Sequence, residues 1–250
     1  AMLKGDLGTS FKYGIPVAQK IGECMWLSFA VALIATVFEF MIAIPLGITA
    51  ATHQYSLRDY VVTVLVMIGI SLPSFFFGQM LKDALALKLG WFPASGLIDA
   101  TASYSGIALL WDYARHIFIP ILTIVILSIG ARMRMTRTNM LEVMNSDYIR
   151  TARAKGLPEW KVNMLHGFRV ACTPVMVLIG FRLPTLISGA IVIENIFQWP
   201  GVGVWFTDAI KTQNTPIIMS VGLFMVLIVL LSSLLVDILT AVLDPRVKLS

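Results

Sequence analysis

Four ionisable residues, Glu39, Arg182, Glu194 and Asp237, stand in or beside long apolar runs. Charges in such surroundings are expensive and are met by a polar interior, a partner group or a water-filled path. They read either as the lining of a route for a polar solute or as ion pairs that lock helices together. Asp237 and Glu194, towards the ends of their runs, also read as groups reaching for the interface. A second set of residues, Arg150, Thr151, Ala152, Arg153, Lys155, Gly156, Leu157, Pro158 and Glu159, could dock a partner rather than catalyse. Its first part holds good helix formers. Gly156 suits the left-handed cap that ends a helix, and Pro158 suits the first turn of the next. The spacing predicts a helix, a sharp corner and a second short helix from about Pro158 to His166.

Other chemistry has no carrier. There is no Gly-x-x-x-x-Gly-Lys-Ser/Thr loop, so the chain should not hydrolyse ATP itself. His-Glu-x-x-His and Gly-x-Ser-x-Gly are also absent, and His53, His116 and His166 are scattered, as surface or helix-end histidines would be. Cys24 and Cys172 read as buried thiols, with no metal-ligand spacing around them. No catalytic residue and no metal set is assigned.

The elements that carry these residues follow from composition. Of 250 residues, 58% are hydrophobic and 13% charged, against about 25% charged in soluble domains. The chain is therefore an all-α integral membrane protein, because apolar runs of about 20 residues must satisfy their backbone internally as helices. Five spans are predicted: Met25–Ala51, Val61–Leu81, Ile117–Met133, Thr173–Ile193 and Pro216–Leu243. Between Ala131 and Ala171 eight Lys/Arg face three acids, a surplus equal to the chain's whole net charge of +5. Such a surplus marks the cytoplasmic side; a nucleic-acid patch is disfavoured because the segment is tethered between spans and lacks interleaved aromatics.

This orientation divides the chain into an extracytoplasmic segment 1–24, a membrane domain 25–243 with a cytoplasmic loop at about 134–170, and a cytoplasmic tail 244–250. It places the loops Lys82–His116 and Asn195–Thr215 outside. They hold Trp91 and Pro93, and Phe197, Pro200, Gly201 and Gly203, which read equally as interfacial anchors and as a surface that receives substrate. An N-terminus outside the membrane leads us to expect a further, sixth span ahead of residue 1.

On these residues the chain resembles ABC importer permeases. Ala152-x-x-x-Gly156 followed by Pro174 looks like the EAA loop, the element that docks into the ATPase subunits. Arg150-Thr151-Ala152 replaces the usual Glu-Ala-Ala, as in the oligopeptide/dipeptide/nickel branch. Gly5-Asp6-Leu7-Gly8-Thr9-Ser10, Ile44-Pro45-Leu46-Gly47, Leu72-Pro73-Ser74-Phe75, Trp91-Phe92-Pro93-Ala94-Ser95-Gly96, Glu194-x-x-Phe197-x-x-Pro200-Gly201-x-Gly203 and Asp244-Pro245-Arg246 follow in that branch's order, similar to its first permease subunit. The resemblance implies a type I importer bundle in a prokaryotic cytoplasmic membrane. It implies a homologous second permease, two cytosolic ATPases that carry ATP and Mg, and an extracytoplasmic binding protein. Peptide is the expected cargo, with nickel or a metallophore as the alternative. An ion-coupled secondary transporter with Glu39, Arg182 and Asp237 as relay groups is disfavoured because the sequence shows no inverted repeat, and a purely structural membrane subunit would leave the corner unexplained. A bulky charge, as in Gly156→Asp, is expected to uncouple transport.

Overall fold

The computed structural model describes residues 7–99, 101, 104–172 and 191–243. These residues are almost wholly helical; Thr9 and Pro16 form an isolated antiparallel bridge. The helices are α1 (Val17–Thr52), α2 (Leu57–Ser71), α3 (Ser74–Leu81), α4 (Ile107–Met144), α5 (Asp147–Ala154), α6 (Glu159–Lys161), α7 (Ile191–Phe197), α8 (Val202–Lys211) and α9 (Thr215–Leu243). Both α3 and α6 wind on as π-helix, through Lys82–Lys88 and Val162–Phe168. By length and composition α1, α4 and the Thr215–Ile238 part of α9 are fit to cross a membrane, and α2 with α3 makes a fourth, broken candidate.

Several boundaries differ from the sequence expectation. The first span begins at Val17 rather than Met25. Val17, Ile21 and Cys24 recur at helical spacing and bury against Val202, Ile217 and Val221, so the polar residues between them belong to a helix. The second span is broken at Leu72, held extended (φ −87°, ψ 131°) before Pro73, since the ring of a proline disfavours helix at the residue before it. The third reaches from Ile107 to Met144, 38 residues, and absorbs part of both flanking loops. The Asn195–Thr215 loop contains a ten-residue helix, α8. The predicted span Thr173–Ile193, with Arg182, lies outside the described residues apart from its last three, which begin α7. The 244–250 tail lies outside them too.

The chain forms two compact units, one from Ala1–Ala35, Pro73–Ile124 and Arg182–Ser232, the other from Thr36–Leu72, Val125–Phe181 and Ser233–Ser250. The first holds a second buried cluster, Val31, Ile119, Ile193, Phe197 and Trp199, besides the one around Val17 and Val221. Its N-terminal turn is stapled down: Lys12 and Tyr13 both reach the Asp208 carboxylate, at 2.9 and 2.7 Å, and Asn214 donates to Ser10 Oγ. The Tyr13 hydroxyl, then Lys12, hold the Asp208 carboxyl below the usual carboxylate range.

The second unit packs α1, α2 and α4 through small residues, the usual device where lipid supplies no hydrophobic drive between helices. A Cβ on Gly47 would lie 2.6 Å from Thr136 Cβ and 2.8 Å from the Met133 carbonyl oxygen. One on Gly130 would lie 2.5 Å from Ile70. Gly47→Ala should therefore force the α1–α4 crossing apart and cost about 1–3 kcal/mol. Gly22→Ala, where nothing lies within 4 Å, should be neutral or slightly stabilising. Thermal unfolding of the two purified variants checks the contrast.

Candidate functional site

The Arg150–Glu159 segment folds as its residue types predict, in finer detail. Ser146, extended at φ −77° and ψ 154°, precedes α5, and the Thr151 hydroxyl donates to the Asp147 carbonyl at 2.9 Å. Ile149, Ala152 and Val162 bury together, with Val143, Met144 and Leu157 around them. That cluster pins both arms of the corner to the end of α4. Gly156 sits at φ +74°, and its N–H donates to the Arg153 carbonyl at 2.9 Å. Pro158 (φ −64°, ψ 143°) opens the second arm, which runs on helically to Cys172, beyond the expected His166. Gly167 lets this arm approach Met144, whose Sδ would lie 3.1 Å from a Cβ there.

The cause of the corner is conformational rather than steric. No atom lies within 4 Å of a Cβ built on Gly156, so there is room for a side chain. What the position excludes is a residue that cannot adopt a left-handed backbone. Bulk or charge alone, as in Gly156→Asp, is not the deciding property, because Asp is among the residues that tolerate this region.

Charges on the segment are partly used within it. Arg153 Nε meets Glu159 Oε1 at 3.0 Å across the corner, and Arg150 meets Asp147 at 3.5 Å. Both pairs are exposed and contribute about 0–1 kcal/mol. Lys155 forms no ion pair among the described residues. The more telling surface is apolar: Trp160, Met164 and Leu165 on the second arm are 62%, 45% and 59% exposed.

The Trp91–Gly96 and Glu194–Gly203 motifs form a brace. Glu194, on α7, is fully buried. Its Oε1 accepts from the Ser28 hydroxyl at 2.6 Å and its Oε2 from the Gly203 N–H at 2.7 Å, while Ser28 Oγ accepts from Val202 N–H at 3.1 Å. The carboxylate and the serine thus satisfy donors at the start of α8, where a helix has free N–H groups and a positive end. The two glycines of Pro200-Gly201-x-Gly203 are explained by this approach. A Cβ on Gly201 would strike the Glu194 carboxylate and lie 2.7 Å from Ser28 Oγ; one on Gly203 would lie 2.7 Å from Glu194 Oε2 and from Ile191 Cα. Phe197 and Trp199 are buried, and the Gly96 N–H donates to the Phe197 carbonyl at 2.9 Å, joining the Trp91–Gly96 and Glu194–Gly203 motifs. Phe92 stacks on Phe118 at 4.4 Å. Trp91 itself is 61% exposed, as an anchor or a receiving surface would be.

The intramembrane charges sort accordingly. Glu39 is fully buried with Arg132 Nε 3.2 Å from its Oε1, which is pairing between helices. Glu194 is the brace just described, buried rather than reaching for the interface. Asp237 is exposed on α9. Arg182 lies outside the described residues. His116 departs from the surface reading: it is buried, with Nδ1 2.8 Å from the Asp112 carbonyl and 3.3 Å from its carboxylate, whose other oxygen accepts from Asp99 N–H at 2.8 Å. His53 is a helix-end histidine, beside Thr49 and Thr52. Cys24 is buried and Cys172 only half-buried; both are free thiols. No group of His, Cys, Asp or Glu among the described residues could hold a metal ion.

Two contributors escaped the sequence reading. Ser28 is one small polar residue in an apolar helix. Asp59 and Arg137 form a two-pronged ion pair, 2.9 Å on each prong, with Tyr55 N–H also donating to Asp59. Their signal, an acid at the start of one span and a base at the end of another, becomes visible only when α2 and α4 are known to be neighbours.

Glu194→Ala would strand the buried Ser28 hydroxyl and Gly203 N–H, at about 1–3 kcal/mol. A thermal melting point equal to the parent's would sink the bracing role.

Comparison with known proteins places this geometry. Residues 43–249 match the family model described as binding-protein-dependent transport system inner membrane component. The chain is 37% identical over 248 residues to the oligopeptide transport system permease protein AppB of Bacillus subtilis (strain 168), covering 99% of this chain and 77% of that one. It is 34% identical over 264 residues to the dipeptide transport system permease protein DppB of Escherichia coli (strain K12), covering 99% and 78%. Two solved structures share the fold. One is an amino acid ABC transporter crystallised with histidines (TM-score 0.61, 10% identity, 89% and 94% covered). The other is the inward-facing MetNI methionine ABC transporter (TM-score 0.56, 16% identity, 91% and 97% covered). The chain is therefore a multi-pass membrane protein of the binding-protein-dependent transport family, a permease subunit of an ABC importer rather than an enzyme.

Proposed function

We propose that this permease imports peptides across a prokaryotic cytoplasmic membrane, as half of a translocation pathway completed by a homologous second permease. The single observation that carries the coupling part of the reading is the corner at Gly156, with its exposed Trp160, Met164 and Leu165. Peptide is favoured over nickel because the relatives similar over nearly the whole chain are named for oligopeptide and dipeptide transport. A secondary transporter loses support, since Glu39, one of its three relay groups, is already paired with Arg132 within the fold.

In this reading the 134–170 region faces the cytoplasm, with residues 1–24 outside and 244–250 inside. Two cytosolic ATPases bind ATP and Mg and seat the second arm of the corner in a cleft. An extracytoplasmic binding protein delivers peptide to the outer surface carrying Trp91, Pro93 and the braced Phe197–Gly203 segment. Nucleotide-driven closure of the ATPases then moves a rigid corner, and the corner moves the helices it is pinned to. This is a rigid-body transition between two states. The apolar seat supplies most of the contact energy, and the exposed basic residues orient it.

The corner's conformation is the handle for testing this. Gly156→Val introduces a β-branched residue at φ +74° and should strain the corner by about 1–2 kcal/mol or more. In proteoliposomes holding the whole complex, peptide uptake should fall while ATP hydrolysis continues. Gly156→Asn, which tolerates the conformation, should keep both. Parent-level uptake by Gly156→Val would overturn the coupling role, and uptake driven by an ion gradient without the ATPases would overturn the importer reading.

A further inference from the structure

A cavity of about 420 Å³ lies between the start of α2 and the second half of α4. Its polar part holds Tyr55, Asp59, Arg134 and Arg137; its apolar part includes Val66, Met67 and Met133. The Asp59 carboxylate is consumed by the two prongs of Arg137, which leaves that pair neutral. Arg134 is exposed and forms no ion pair among the described residues, so the cavity carries one uncompensated positive charge. Beside it α2 presents an apolar strip: Tyr60, Val64, Met67 and Ile68 are 58%, 55%, 50% and 54% exposed.

A single cation, tyrosine at the rim and a continuous apolar strip form a combination with one matching chemistry. We infer that this cavity binds the headgroup of an anionic phospholipid of the cytoplasmic leaflet, its phosphate on Arg134 and its acyl chain along Met67 and Ile68. The inference rests on the orientation that the basic 131–171 region assigns, which puts the start of α2 at the cytoplasmic face. Anionic lipids enrich that face, and basic pockets between helices there hold their headgroups. A free phosphate would use Arg134 and leave the apolar strip uncovered.

The test uses the assembled permease–ATPase complex in nanodiscs of mixed phosphatidylglycerol and phosphatidylcholine. After extraction, native mass spectrometry reads how many lipids of each kind stay bound. The parent should retain phosphatidylglycerol over phosphatidylcholine. Arg134→Gln should retain about fivefold less, the effect of one basic residue at such a surface, and Arg134→Lys should restore it. Millimolar inorganic phosphate should not displace the lipid. Parent-level retention by Arg134→Gln, or equal retention of both lipids, would overturn the proposal. So would displacement by inorganic phosphate, which would make the site one for free anions. Efficient crosslinking of Met67→Cys to the second permease subunit would also overturn it, by putting protein where the acyl chain is placed. Loss of the lipid would leave the peptide-import reading standing if uptake persists, so the two fail separately.

Discussion

Lipid offers a buried polar group no hydrogen bond, and the buried charges of this chain are arranged around that fact. Glu39 takes Arg132, Asp59 takes both prongs of Arg137, and Glu194 takes the Ser28 hydroxyl and the first N–H groups of α8. Each arrangement ties together segments that are distant in sequence. The requirement reaches into the glycines as well. Gly201 and Gly203 exist so that backbone can approach a carboxylate, and Gly47 and Gly130 so that helices can approach each other. Glu39 and Glu194, which read from the sequence either as the lining of a route or as ties between helices, are both engaged in ties within the fold.

The same constraint explains the corner. Outside the apolar region the chain is free to turn, and it does so with a left-handed glycine and a proline rather than with a flexible loop. Ile149, Ala152 and Val162 then bury against the end of α4. The result is a short projection pinned to the end of a long helix, with its apolar Trp160, Met164 and Leu165 left uncovered. In the proposed reading, a corner packed onto its helix passes a partner's motion on, where a loose loop would absorb it.

Much of this was legible in the residues. The all-helical membrane class follows from composition, and the corner follows from helix formers ahead of Gly156 and Pro158. The breaks and ends were less so. Val17–Cys24 hides its apolar face among Gln19, Lys20 and Glu23, and pairs with residues nearly two hundred positions away, so a local window reads it as a loop. The interruption at Leu72–Pro73 was visible as a proline but not as a break, because membrane helices often keep prolines by finding other partners for the freed groups. The roles of Ser28, Asp59 and Arg137 depend wholly on tertiary neighbours. The left-handed cap at Gly156 was legible, whereas the open space around it, which makes a bulky charge the wrong property to test, was not.

The central claim is that the second arm of the corner seats in an ATPase subunit. A photoreactive phenylalanine in place of Trp160, in the complete complex reconstituted in lipid, tests it most directly. The account predicts an adduct with the ATPase subunit whose yield changes when ATP binds. Adducts confined to lipid, with no ATPase product in any nucleotide state, would contradict it.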